Sequence, residues 1–72
     1  MRATLRKKFG NRVVALRKAV KPFLSQEELA ERCGFARPYM SRIERGKANP
    51  SLDAIETLAG GLKVPVARLF ED

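Results

Sequence analysis

The chain has 72 residues, with 15 lysines and arginines against 8 acidic residues and a formal net charge of +7. A chain this short buries only about 60% of its unfolded surface, so one small core and a single domain over residues 1–72 are expected. Without histidine, Cys/His zinc sites and histidine acid–base chemistry are excluded, no apolar run reaches the roughly 18 residues of a membrane span, and a lone cysteine cannot form an internal disulfide, which fits the reducing cytoplasm.

The chain's net charge of +7 favours a polyanionic partner without naming one, because lysine and arginine also solvate ordinary helix faces, and Met1 to Lys21 contains no acidic residue. Leu5, Phe9, Val13, Leu16 and Val20 share a stripe about 80° wide, which predicts an amphipathic helix from Thr4 to Val20. Pro22 stops it and biases Lys21 toward extended geometry, leaving Phe23 or Leu24 as a hydrophobic staple before the next helix. Ser25 and Glu28 form an S-x-x-E capping box, Leu29, Ala30 and Cys33 follow at helical spacing, and Gly34 supplies a left-handed end. Cys33 reads as a small buried apolar residue.

A third helix is predicted from Arg37 to Arg45, with Pro38 tolerated in its first turn and Gly46 closing it. Ala36 offers no capping side chain, which forgoes about 1 kcal/mol. At about 100° per residue, Ala36, Met40 and Ile43 fall within roughly 60° of one another. Arg37, Pro38, Ser41, Arg42 and Arg45 occupy an arc of about 140° on the other side. One face is therefore built to pack and the other to present guanidinium groups. Ser51 caps a fourth helix, Asp53 suits its positive end, and Leu52, Ile55, Leu58, Ala59 and Leu62 are expected on one apolar face. Gly60 and Gly61 weaken its last turn.

Helix, glycine turn and second helix form a helix-turn-helix signature, whose second helix enters the DNA major groove. The segment SQEELAERCGFARPYMSRIERGKANPSL resembles that of the Cro/C1 (XRE) family, and the resemblance runs from about Phe9 to Phe70. It implies an all-α, compact five-helix domain of lambda-repressor type, with residues 64–70 as the short fifth helix. It further implies a DNA-binding transcription regulator, a dimeric repressor or controller protein reading a palindromic operator. Matched residue by residue, Arg37 and Arg42 fall at base-reading positions, where arginine favours guanine O6 and N7. Pro38 falls at a third and is limited to a thymine methyl, and Ser41 is a secondary contact. Gln26 and Tyr39 match phosphate contacts, while Arg45, Lys47 and Asn49 extend the same edge toward phosphate. Arg17 and Glu44 match a structural ion pair. Val66, Leu69 and Phe70 either lid the core or form a two-fold interface.

The chain departs from the family pattern at Val20–Leu24, which carries about two extra residues and proline where glycine is usual, and at Ala36, where a capping hydroxyl or carboxylate is common. The expected partners are double-stranded DNA and a second copy of the chain, with no membrane, cofactor, metal or small-molecule ligand evident. The rival is a protein-interaction module, such as an antitoxin or adaptor, with DNA binding secondary. An enzyme has little to stand on: no histidine and no phosphate-cradling glycine loop.

Overall fold

Thr4, Ser25 and Ser51 each accept, through the side-chain hydroxyl, the backbone N–H three residues further on, and a helix follows each of them. The computed structural model describes residues 4–71. Its elements are α1 (Leu5–Lys18), α2 (Gln26–Cys33), α3 (Arg37–Glu44), α4 (Leu52–Leu62) and a terminal 3-10 helix (Val66–Phe70). The described residues are all-α, with four α-helices rather than the five expected. Pro65 sets the start of the last segment in extended geometry, and the helical piece it opens is only five residues long. Its backbone closes as an i→i+3 turn, Arg68 N–H to the Pro65 carbonyl at 3.0 Å, the tighter winding short helical pieces adopt.

The capping box of α2 is reciprocal: Glu28 N–H donates to Ser25 Oγ and Ser25 N–H to Glu28 Oε1, both at 3.0 Å. These bonds hold the Glu28 carboxyl below its ordinary range, with the Ser25 backbone N–H as the leading cause. Gly34 ends α2 at φ +70°, and Phe35 N–H reaches back to the Ala30 carbonyl at 2.9 Å. Helix α1 ends at Lys18, two residues before the predicted Val20, and the Lys21–Pro22 peptide is cis. Of the two candidate staple residues, Leu24 is buried and Phe23 points to solvent.

Val13, Leu29, Met40, Ile43, Leu58 and Leu69 form the fully buried centre, drawn from every helical element. Each such side chain contributes about 1.5–3 kcal/mol by leaving water. Two leucines of the predicted stripes face solvent: Leu5 is 67% exposed and Leu52 81%. Both are the first residue of their helix, where the apolar stripe has run past the elements that cover it.

Two glycines mark close crossings. A Cβ on Gly10 would stand 2.5 Å from the Ile43 carbonyl oxygen and 2.7 Å from that of Glu44, so α1 lies directly on the end of α3. A Cβ on Gly61 would stand 2.8 Å from Cys33 Sγ, so the cost of glycine in α4 is offset by its approach to α2. Burial there pushes the Cys33 thiol above its ordinary value, with Arg32 pulling more weakly the other way, so the thiol stays protonated at neutral pH.

Candidate nucleic-acid interface

The outer side of α3 is built by what its inner side buries. Met40 and Ile43 are 0% and 1% exposed, and Glu44 joins them inside. Ala36, expected on that inner face, is instead the N-cap in extended geometry and is exposed; the helix starts one residue later, so its periodicity never applied. No side chain caps this end, and Pro38 sits in the first turn as expected. With Met40 and Ile43 inward, Arg37, Pro38, Arg42 and Arg45 come out exposed and Ser41 half-buried between them.

Among the described residues, only Arg12, Arg17 and Arg68 pair with a carboxylate. Arg37 and Arg42 thus stand on the open face with no acidic partner there. Arg45 leans along its own helix, Nε donating to the Ser41 carbonyl at 3.4 Å. Lys47 is exposed and continues the edge, its backbone N–H closing onto the Arg42 carbonyl at 2.8 Å. Tyr39 is half-buried on the flank, its ring edge-on to Phe35 at 5.1 Å, which fixes the ring plane. Asn49 is exposed at the rim of an apolar groove of about 240 Å³ shared with Leu5, Phe9, Pro50, Ile55 and Phe70.

Behind this face lies a buried charge network. Arg17 Nε donates to Glu44 Oε2 at 2.8 Å and Nη2 to Oε1 at 3.1 Å, with the two side chains 9% and 5% exposed. Arg17 Nη1 donates to the Leu24 carbonyl at 3.1 Å, just before the α2 cap. Gln26 Nε2 donates to Glu44 Oε1 at 3.0 Å. The expected pair of Arg17 with Glu44 is therefore present and bidentate, a geometry that suits the planar guanidinium fork. The bond from Gln26 was not legible from the sequence, which left Gln26 free for phosphate. Its only signal was that Gln26 and Glu44 open and close the two helices of one motif.

At the chain's end, the three candidate interface residues separate. Leu69 is wholly buried and has no surface to offer, whereas Val66 and Phe70 are 40% and 48% exposed. The Phe70 ring lies 5.3 Å from that of Phe9, at the mouth of the same groove. Among the described residues no His, Cys, Asp or Glu cluster is arranged for a metal ion, and no helix is long and apolar enough to cross a membrane.

Two short helices, a glycine turn and an outward cationic face on the second helix define a helix-turn-helix domain. The helix-turn-helix family model matches residues 15–69, and the chain belongs to that family, in its Cro/C1 (XRE) branch. It is 43% identical to the control protein C.MunI of Mycoplasma sp over 65 residues, 90% of this chain and 86% of that protein. It is 44% identical to the control protein C.BamHI of Bacillus amyloliquefaciens over 71 residues, 99% of this chain and 86% of that protein. The crystal structure of the restriction-modification controller protein C.AhdI from Aeromonas hydrophila superposes with a TM-score of 0.85 at 43% identity, covering 90% of this chain and 96% of that one.

Proposed function

We propose that this protein is a sequence-specific transcription regulator that binds double-stranded DNA as a homodimer, and that it is a binding protein rather than an enzyme. The observation that carries the reading is the open guanidinium face of α3, with Arg37 and Arg42 exposed and free of acidic partners on that face. Placed in a major groove, each guanidinium meets guanine O6 and N7 bidentately, with Pro38 and Ser41 filling the space between. Tyr39, Arg45, Lys47 and Asn49 then lie toward the phosphates, where they supply affinity and register rather than sequence choice. The first backbone N–H groups of α2, beside Gln26, add a phosphate site at the positive end of that helix.

A second copy is expected to cover the exposed Val66 and Phe70 and the groove that Phe70 lines with Leu5, setting two α3 helices about 34 Å apart on successive turns of one palindrome. Residues 1–72 act as one domain in this reading. The likeness to control proteins and to a restriction-modification controller supports a role in setting the expression of such genes, from the cytoplasm. The test is selection of bound duplexes from random DNA, followed by footprinting. A palindrome with half-sites about ten base pairs apart is the expected result. Binding that enriches no sequence and is insensitive to salt overturns the reading in favour of a protein partner, because phosphate contacts make DNA affinity fall steeply with salt.

A further inference from the structure

We propose that Glu44 is a positioning residue for DNA binding: held by Arg17, it orients the Gln26 side-chain amide so that one N–H stays inside and the other faces the DNA backbone. The inference rests on the reading of the α2–α3 face as a DNA surface. A carboxylate only accepts hydrogen bonds, so Glu44 Oε1 must meet the nitrogen end of the Gln26 amide, as it does at 3.0 Å. That oxygen also takes Arg17 Nη2 at 3.1 Å, while Oε2 takes Arg17 Nε at 2.8 Å, so the carboxylate cannot swing away without breaking a buried pair. Leu24 closes the ring by accepting from Arg17 Nη1 at 3.1 Å. The network thus fixes the first residue of α2 against the last residue of α3.

An amide nitrogen carries two hydrogens, and Glu44 occupies one. Gln26 is half-exposed at the start of α2, so the second is free to donate outward beside the unpaired backbone N–H groups of the first turn. A surface glutamine normally loses rotamer freedom when it docks on a phosphate; here that loss falls on folding instead of on binding. The negative charge of Glu44 does not repel the DNA, since Arg17 neutralises it at contact.

The experiment measures the Kd of the full chain for its selected operator and for an unrelated duplex at one salt concentration, with variants Q26A, E44D and Q26A/E44D. E44D keeps a carboxylate for Arg17 but draws it back by one methylene from Gln26. Q26A and E44D are each expected to weaken binding to both duplexes by about 3- to 10-fold, the value of one pre-ordered side chain. The double variant is expected to be no weaker than either single one. Melting curves recorded alongside establish that each variant is folded. A double variant as weak as the product of the two singles, or a folded E44D or Q26A with unchanged Kd, overturns the proposal. If E44D does not fold, the Gln26 amide of the unaltered protein decides by ¹⁵N NMR. Two separate Nε2 proton signals, one slow to exchange with solvent and the other shifting on addition of the operator duplex, support it. A pair exchanging as in a free glutamine overturns it. Failure here with R42A still losing operator binding removes only the role of Glu44; R42A binding unchanged removes the DNA reading itself.

Discussion

Replacing Glu44 by alanine tests the buried network through stability. The variant strands the Arg17 guanidinium, whose side chain is 9% exposed, and removes the acceptors for Arg17 Nε and Nη2 and for Gln26 Nε2. Leaving one member of a buried pair uncompensated costs about 3–5 kcal/mol. At about 0.05–0.15 kcal/mol per residue, a domain of 72 residues has roughly 4–11 kcal/mol in all, so the loss is a large share of the total. With about 4–8 °C of melting temperature per kcal/mol, the midpoint should fall by at least about 12 °C. Urea denaturation at neutral pH, followed by far-UV circular dichroism, reads the same loss as a lower midpoint. The double variant R17M/E44M should recover most of it, because an apolar pair of similar volume avoids the desolvation cost of two charges. A cost for E44A below about 1 kcal/mol, or a double variant worse than E44A, would show that the pair is not held in a dry interior.

At the groove face, R42A or R37A should cost about 1–3 kcal/mol of operator binding and relax the choice of base at one position, read by titrating single-substituted operators. The helix cap gives a pH prediction: the Glu28 carboxyl lies below its ordinary value of 4.5 in the folded chain, so its contribution is present above that value and disappears as pH falls through the lowered one. E28Q should therefore flatten the acid side of the stability–pH curve, as seen by urea titration at several pH values, and S25A should cost about 1 kcal/mol at neutral pH. F70D should leave the helical signal intact but shift sedimentation equilibrium from dimer toward monomer; an unchanged dimer would place the two-fold contact elsewhere.

The elements legible from the sequence were those whose partners lie within one turn of chain. The Ser25–Glu28 box, the Gly34 end, the Pro38 first turn and the Ser51 cap each depend on residues three or four positions apart, and each stands as read. The two-faced character of α3 was legible for the same reason, since helical periodicity is local geometry: Met40 and Ile43 went in, Arg37 and Arg42 came out. The ion pair of Arg17 with Glu44 follows from family resemblance, not from spacing, and the structure contains it. Periodicity states which residues share a face but not how far the neighbouring helix extends, which is why Leu5 and Leu52 carry the pattern and remain in solvent. It also assumes the winding: in a 3-10 turn the order of inward and outward residues changes, so Leu69 filled the core while Phe70 stayed at the groove mouth. The bond from Gln26 to Glu44 spans 18 residues and exists only because α2 and α3 cross where they do. Local caps and helical faces follow from the chain's own backbone chemistry; the meeting of Arg17, Gln26 and Glu44 required the packed helices, because distances across a core are set by how side chains fill it.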